Sequence, residues 1–209
     1  MKGLFITFEG PDGSGKTTQI ELLMGYLKEK GREVVTAIEP GGTKLGEKIR
    51  HMLLDKENMG ISPRTETLLF QASRAELVQK IISPALKAGH IVICDRFFDS
   101  TIVYQGIARG LGKEKIIDMS LWATGGLIPD LTFLLSLDVD RGEERITGSL
   151  RIRDRIEMEE EKFKQKICEG YLELAREFND RIIPVDAGQE IEAVFRIIRE
   201  NVDRELRKR

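Results

Sequence analysis

The chain has 209 residues, and its 33 Lys and Arg nearly balance 35 Asp and Glu, which gives a net charge of −2. That balance excludes a general electrostatic affinity for nucleic acid or for a membrane surface, and no apolar run approaches the length of a membrane span. The length suits one large α/β domain, predicted over residues 1–209, better than two small ones.

The two cysteines, Cys94 and Cys168, lie far apart and lack the spacing of a metal site. We therefore expect reduced thiols that pack as ordinary core residues. The first predicted strand begins at Leu4, which leaves no room for a signal or transit peptide ahead of it. We accordingly expect a cytoplasmic protein.

A glycine-rich loop follows the first predicted strand, residues 4–8. Residues 10–17 read Gly-Pro-Asp-Gly-Ser-Gly-Lys-Thr and fit the pattern G-x-x-x-x-G-K-[ST]. A helical pattern of apolar residues begins directly afterwards and continues to Leu27. Strand, glycine loop and helix form the context in which this pattern marks a phosphate-binding loop rather than an ordinary glycine turn.

The residue types of this loop explain how it would bind a polyphosphate. Glycines let backbone N–H groups crowd around the anion, and the positive end of the following helix points at it. Lys16 can reach the β- and γ-phosphates, and the Thr17 hydroxyl can coordinate Mg²⁺. The predicted nucleotide-binding residues are Gly10, Asp12, Gly13, Ser14, Gly15, Lys16, Thr17 and Thr18.

The rest of the chain alternates between apolar strand segments and helical segments. Further strands are predicted at 33–38, 90–94, 131–137 and 181–185. Helices are predicted at 44–54, 63 to about 87, 100–107, 114–123, 141–146, 159–179 and 190 to about 206. This alternation predicts an α/β protein with the P-loop NTPase fold, a five-stranded parallel sheet with helices on both faces.

Three local expectations accompany this fold. The second strand is expected to be buried, and the long third helix is expected to bend at Pro84. The second helix is expected to turn four apolar residues toward the core, namely Leu45, Ile49, Met52 and Leu53.

Polar residues follow the predicted strands, where ligands of open parallel sheets bind. These residues are Asp12, Glu39, Asp95, Arg96 and Asp138. Asp95 and Arg96, which directly follow the third strand, are predicted to be functional on this ground alone.

Motifs of two large nucleotide-binding classes are absent from the sequence. The guanine-recognition motif Asn-Lys-x-Asp of Ras-type GTPases does not occur, and neither does the Leu-Ser-Gly-Gly-Gln motif of ABC proteins. A basic segment at 148–155, expected to be mobile, instead indicates a small-molecule kinase. Its lid, predicted at about 141–156, would close over the triphosphate.

The chain resembles thymidylate kinases over nearly its full length. Besides residues 8–18, the resemblance rests on residues 39–43, 68–75, 95–97, 100, 104–106, 129–132 and 154–157. Their order and spacing are highly specific when taken together. The resemblance implies transfer of the γ-phosphoryl group of ATP to dTMP, giving dTDP and ADP for dTTP synthesis. It also implies use of Mg²⁺, a homodimer, and no nucleic-acid or membrane partner.

The resemblance implies a pocket for the thymine base. Phe70 would stack on the ring, Arg74 would donate to its exocyclic oxygen, and Ser100 and Gln105 would line the pocket. An aromatic face stacks on any base, so the polar neighbours would select thymine. Without the resemblance, Phe70 on a long helix would more often be a core residue, whereas an arginine four residues later is awkward in a core.

The resemblance likewise implies contacts to the sugar and the phosphate of dTMP. Arg50 and Arg96 would hold the phosphate, since arginine matches it as a planar fork. Asp12 would accept a hydrogen bond from the 3′-hydroxyl, and Tyr104 would pack where a 2′-hydroxyl would project. Arg50 alone would otherwise be interpreted as a solvated helix residue. Trp122, His51 and His90 are left as structural residues.

Catalysis is expected to rest on positioning and on cations. The acceptor phosphate is largely dianionic at pH 7 and needs no strong general base. Lys16 and Mg²⁺ would neutralise charge on the transferring group, Arg96 would hold the acceptor, and Asp95 would help to hold or orient the metal with Thr17.

The resemblance implies one further cation, supplied by the lid. Some thymidylate kinases place an arginine in the loop at the position of Gly13, and this sequence instead offers Arg145, Arg151 and Arg153 late in the chain. It therefore resembles the type with a lid arginine. Arg151 is the first choice and Arg153 the second, with a solvated basic loop as the alternative. Residues 186–189 would border the adenine.

Two alternative functions remain open from the sequence. The first is a kinase of the same fold that acts on another monophosphate, such as dUMP, or on several deoxynucleotides. The second is a P-loop protein that binds nucleotide, for regulation, without useful turnover.

Overall fold

The computed structural model describes residues 3–148 and 154–209. Within these residues, one sheet of five strands has the order β2-β3-β1-β4-β5, and every neighbouring pair is parallel. The strands are β1 Leu4–Glu9, β2 Val34–Ile38, β3 Ile91–Asp95, β4 Leu131–Ser136 and β5 Ile182–Asp186. The predicted five-stranded parallel sheet is confirmed.

Helices connect consecutive strands and pack around the sheet. They are α1 Lys16–Glu29, α2 Lys44–Leu54, α3 Pro63–Leu77, α4 Ser83–Lys87, α5 Phe98–Thr101, α6 Lys113–Thr124, α7 Val139–Gly148, α8 Glu161–Glu177 and α9 Ile191–Leu206. Within the described part of the chain, no helix combines the length and the apolar character needed to cross a membrane.

Each face of the sheet buries its own apolar core because successive strand side chains point to opposite faces. On one face, Ile6 of β1 and Ile93 of β3 pack in a cluster with residues of α1 and α9. On the other face, Phe5 of β1 and Val92 of β3 pack with residues of α3, α5 and α8. The expectation of helices on both faces is confirmed.

Strand β2 differs from its prediction as a buried strand. It forms the edge of the sheet and pairs with β3 alone, so its residues are half-buried or exposed, with Ile38 39% exposed. The prediction was wrong because an apolar run does not distinguish an edge strand from a central one.

The second predicted helix is present over the expected residues, but only part of its inward face was correctly assigned. Ile49 and Leu53 are buried, whereas Leu45 and Met52 are 50% and 53% exposed. Ile49 and Leu53 are four residues apart and lie on one stripe of the helix surface. Leu45 and Met52 are seven residues apart and lie on the neighbouring stripe, which faces away from the core. The expectation for Leu45 and Met52 was wrong.

The long third helix contains a π-helical turn. After α3, residues Val78–Ile82 form this turn, and α4 follows with Pro84 in its first turn. The irregularity thus precedes the proline at which a bend was predicted. A second π-helical stretch, Ile102–Ala108, continues α5 and carries Tyr104 and Gln105.

The parallel register brings the carboxyl ends of the central strands together. Phe8 of β1 lies opposite Asp95 of β3, which also pairs with Ile38 of β2. The loops that leave these three strands therefore begin side by side. The carbonyl oxygen of Phe8 accepts a hydrogen bond from the Arg96 N–H at 2.9 Å, so β1 holds the start of the loop after β3.

Candidate active site

A cavity of about 480 Å³ opens at the carboxyl ends of the strands. Its walls come from the glycine-rich loop, the loops after β2 and β3, and the helices α2, α3 and α7. The predicted site residues that line it are Asp12, Gly13, Gly15, Lys16, Thr17, Arg50, Phe70, Arg74, Asp95, Arg96, Ser100, Tyr104 and Gln105. One cavity thus joins the residues predicted for the two nucleotides.

The glycine-rich loop adopts the backbone that its residues predict. Gly10, Gly13 and Gly15 all have positive φ angles, of 133°, 77° and 87°. A Cβ on Gly13 would lie 2.6 Å from the carbonyl oxygen of Gly142 in α7, so no side chain fits there. Three predicted loop residues lie outside the cavity lining: Gly10 and Ser14, which are buried, and Thr18, which is exposed in the first turn of α1.

Lys16 begins α1 and turns back toward the loop. Its Nζ donates to the carbonyl oxygens of Gly10 at 3.2 Å and Pro11 at 3.0 Å. Burial and, to a lesser extent, the charge of Arg96 lower the pKa of Lys16 to about 8, against the opposing effect of nearby carboxylates. An incoming phosphate anion would favour the charged ammonium.

Arg96 is held in a strained backbone conformation by several partners. Its φ angle of 64° is the single positive value recorded for a non-glycine residue within 3–148 and 154–209. Nη2 donates to Asp12 at 2.7 Å, and Nη1 donates to the Gly10 carbonyl oxygen at 2.9 Å and to Ser100 Oγ at 3.2 Å. The loop and the segment after β3 are therefore joined through one guanidinium.

Glu9, at the end of β1, is a buried acid that the sequence reasoning did not assign to the site. Its Oε1 accepts from the Phe97 N–H at 2.7 Å, and its Oε2 accepts from Ser100 Oγ and from Tyr171 Oη of α8. Burial and the charge of Asp99 raise the pKa of Glu9 to about 7. A charged residue at the end of a mostly apolar strand was the available signal.

Arg74 of α3 is among the largest fully buried side chains, with 1% of its surface exposed. Its Nε donates to Glu39 Oε2 at 2.7 Å, Nη1 donates to Gln71 Oε1 at 2.9 Å, and Nη2 donates to Thr101 Oγ1 at 2.9 Å. An arginine was expected to be awkward in a core. This expectation was wrong because Glu39 and neutral acceptors surround the guanidinium, which still borders the cavity.

Glu39 is a second buried acid, predicted to lie at the ligand-binding edge of the sheet but given no specific role. Its Oε1 has no hydrogen-bond partner among the residues described, and its side chain borders the cavity beside Arg74. Burial raises the pKa of Glu39 to about 7, against the lowering effect of the Arg74 charge. Its position directly after β2 placed it among the residues predicted to face the ligand, and the cavity lining agrees with that position.

The other predicted acceptor-site residues surround the same space. Phe70 is half-buried on α3, and Tyr104 lies with its ring 5.5 Å from the Arg96 guanidinium. Arg50 is half-buried rather than fully solvated, and its Nη1 donates to the Pro40 carbonyl oxygen at 2.7 Å. Gln105 is 2% exposed.

Two residues with oxygen donors suitable for a divalent cation line the cavity together with Lys16. These residues are Thr17 and Asp95. A carboxylate and a hydroxyl are ligands that Mg²⁺ accepts, together with phosphate oxygens and waters. The side chains therefore fit the predicted metal pair Thr17 and Asp95.

Of the three candidate lid arginines, Arg145 falls within the described residues. It lies on α7 and donates to the carbonyl oxygens of Gly13 at 3.3 Å and Ala187 at 3.0 Å. Arg151 and Arg153 lie outside the described residues, so their predicted roles are untested. Ala187 belongs to the segment predicted to border adenine, which therefore lies beside α7.

One residue left as structural is not a packing residue. Trp122 of α6 is 86% exposed. The prediction of a structural role did not specify where Trp122 packs. Its exposure excludes a place in the core of a single chain.

Comparisons with known proteins agree on one family. A family model described as thymidylate kinase matches residues 8–198. The thymidylate kinase of Caldanaerobacter subterraneus subsp. tengcongensis is 47% identical over 207 residues, which cover 99% of this chain and 98% of the relative. That of Symbiobacterium thermophilum is 48% identical over 206 residues, covering 99% and 95%. The solved thymidylate kinase of Ehrlichia chaffeensis aligns with a TM-score of 0.78 and 33% identity, covering 97% and 99%.

Proposed function

The chain belongs to the thymidylate kinase family, and on that premise we propose how its residues divide the work of the reaction. As a member of this family it is an enzyme that phosphorylates dTMP with ATP in the synthesis of dTTP. The observation that carries the proposal is the shared cavity, which is lined both by Lys16 of the phosphate-binding loop and by Arg74 of α3. Two nucleotides can therefore meet there for direct transfer.

Recognition of thymine is assigned to Phe70 and Arg74. Nη1 of Arg74 carries two N–H groups and donates to one acceptor, Gln71 Oε1, among the described residues. The second N–H is left for an exocyclic oxygen of the base. Phe70 is half-buried at the cavity wall, and its ring would stack on that base.

The sugar and the acceptor phosphate are assigned to the side of the cavity near the loop. Arg50 and Arg96 would hold the phosphate, and the carboxylate of Asp12 would accept from the 3′-hydroxyl. Tyr104 would occupy the space of a 2′-hydroxyl and so disfavour ribose. Asp12 and Arg96 already form a 2.7 Å ion pair, which supports their joint placement against one nucleotide.

The transfer step requires an anionic acceptor close to a neutralised γ-phosphate. The acceptor phosphate attacks in its dianionic form, so positioning by the two arginines replaces a strong general base. Lys16 would neutralise charge on the transferring group. When bound by Thr17 and Asp95, Mg²⁺ would supply further positive charge to the phosphates of ATP.

The final cation is assigned to the lid, here proposed at about 141–156. Arg151 is the first choice and Arg153 the second. The close approach of Gly13 to Gly142 supports a lid arginine, since no side chain fits in the loop at position 13. Residues 186–189 would border the adenine, because α7 and the segment after β5 meet at the Arg145 contact to Ala187.

A homodimer in the cytoplasm completes the proposal. Exposed apolar side chains lie on three helices, with α3 packed against both α2 and α6, and they supply a surface for a second copy. These side chains are Leu45, Met52, Leu68 and Trp122. Both cysteines are free thiols, which fits a reducing compartment.

Replacement of Lys16 tests the assignment of the loop. Lys16→Ala should lower kcat by about a hundredfold or more, through lost electrostatic stabilisation of the transferring group. Binding of dTMP, measured by calorimetry, should persist, since Lys16 is assigned to ATP. Lys28→Ala, an exposed lysine on the same helix, serves as the control and should leave kcat unchanged. Retention of most activity in Lys16→Ala would refute the assignment.

A further inference from the structure

Glu66 is a buried acid beside the proposed base pocket. It lies on α3 with 1% of its surface exposed, and its Oε1 accepts from Nε2 of Gln105 at 2.9 Å. Gln105 is itself 2% exposed and borders the cavity. The orientation of a base-pocket amide is therefore decided by a neighbour that does not line the cavity.

The contact fixes which end of the Gln105 amide faces Glu66. A carboxylate only accepts hydrogen bonds, so the NH₂ group of Gln105 must point toward it. The amide oxygen then points away from Glu66. Within residues 3–148 and 154–209, that oxygen receives no hydrogen bond, so it is free to accept one from a ligand.

Glu66 is in turn held as an ionised acceptor. Arg109 donates to it through Nε at 3.2 Å and Nη2 at 3.3 Å, and Nη2 of Arg155 donates to its Oε2 at 2.5 Å. Burial alone would raise the pKa of Glu66, but the hydrogen bond from Gln105 and the two arginines hold it below the ordinary value. Arg155, near the end of the proposed lid, also donates to the Leu53 carbonyl oxygen at 2.8 Å.

We propose that Glu66 is a positioning residue that sets base specificity by turning the amide oxygen of Gln105 toward the ring N3 of the base. The inference rests on the proposed base pocket. Arg74 then offers a donor and Gln105 an acceptor. Thymine and uracil present the complementary pair, an O4 acceptor and an N3–H donor, whereas cytosine presents an amino donor and an N3 acceptor. Glu66 thereby selects against cytosine.

The test is the isosteric change Glu66→Gln. On the Oε2 side two arginines donate, and on the Oε1 side Gln105 and one arginine donate. The new amide should keep its oxygen toward the two arginines and turn its NH₂ toward Gln105, whose own amide then flips. The ratio of kcat/KM for dTMP to that for dCMP should narrow by about tenfold or more, the factor for one misdirected hydrogen bond.

Glu159→Gln is the matched control. Glu159 also accepts a hydrogen bond from Arg109 but does not contact Gln105. The change therefore removes one negative charge beside the same arginine, as Glu66→Gln does. Its dTMP:dCMP ratio should stay within about twofold of the parent, well below the tenfold of one hydrogen bond. The fraction of the variant that is folded cancels in this ratio, because it scales both kcat/KM values equally. If Glu66→Gln fails to fold, Glu66→Asp keeps the charge but withdraws the carboxylate, and the same narrowing is expected.

Gln105→Ala separates the two proposals. In that background Glu66→Gln should cause no further change in the ratio, because both residues act through one amide. If Gln105→Ala itself leaves the ratio unchanged, the base-pocket assignment of Gln105 fails. If Gln105→Ala narrows the ratio but neither Glu66 variant does, the base pocket stands and the role of Glu66 is refuted.

Discussion

The Arg74–Glu39 pair shows why a charged residue can lie in the core at a binding site. Removing two charges from water is costly, and a buried ion pair often contributes little net stability. Loss of one partner is far more damaging because it leaves an uncompensated charge. The pair instead fixes the guanidinium in one place, which is what a donor to a base requires.

The raised pKa of Glu39 predicts a specific dependence of stability on pH. Its pKa rises from 4.5 to about 7 on folding, so the unfolded chain loses this proton first as pH increases. The contribution of Glu39 to the free energy of unfolding therefore decreases as the pH rises from 4.5 to 7. Glu39→Gln cannot titrate, so its stability relative to the parent should rise across this window, by on the order of 3 kcal/mol.

Urea unfolding at pH 5 and pH 8 measures this difference. Glu29→Gln, an exposed acid at the end of α1, is the control and should show a parallel pH dependence to the parent. If the free energy of unfolding of Glu39→Gln showed the same pH dependence as that of the parent, Arg74 would be keeping Glu39 ionised across this pH range. That result would contradict the prediction.

The sequence predicted the residues that line the cavity better than the residues that position them through hydrogen bonds. Lys16, Asp95 and Arg96 were predicted from a motif and from strand ends, and all three line the cavity. Glu66 and Tyr171 were not predicted, because each acts through a partner distant in sequence. Spacing along one helix carries no information about such a contact.

Secondary structure elements were predicted well where the hydrophobic period was clear. All five strands and the helices α1, α2, α6, α8 and α9 occur close to their expected positions. The π-helical turn at Val78–Ile82 was not predicted, because one extra residue in a helical turn leaves the apolar pattern almost intact. The edge position of β2 depends on sheet order, which sequence periodicity does not encode.

The choice among the three candidate lid arginines can be tested by comparing their alanine variants. Arg151→Ala should lower kcat by about a hundredfold or more with little change in dTMP affinity, as for a cation that acts only in the transition state. Arg153→Ala and Arg145→Ala, made in parallel, should have smaller effects on kcat. Steady-state kinetics and dTMP calorimetry on the three variants provide the comparison. A dominant effect of Arg153 or Arg145 would refute the choice of Arg151 and leave the lid-arginine mechanism intact.

Assembly of the molecule is predicted to bury the exposed apolar side chains of α2, α3 and α6. Trp122→Glu should weaken the dimer by at least about 2 kcal/mol, since a large exposed aromatic residue is a typical interface anchor. Light scattering after size exclusion should give twice the chain mass of 23.7 kDa for the parent and less for the variant at low micromolar concentration.

Leu172→Glu on α8 is the control, because it places the same charge at another exposed apolar position, 41% exposed. It should leave the mass of the parent unchanged. A dimer that survives Trp122→Glu but not Leu172→Glu would place the interface on a different surface.

The central claim is that one cavity brings ATP and dTMP together for phosphoryl transfer. A coupled ADP-release assay with ATP, Mg²⁺ and each of dTMP, dUMP, dCMP, dGMP, AMP and UMP tests it most directly. Strong turnover is expected with dTMP, a lower value with dUMP, and kcat/KM lower by about a hundredfold or more with the others. Equal turnover with AMP or dGMP would contradict the assigned base pocket. No turnover with any acceptor, despite measurable ATP binding, would contradict the kinase function itself.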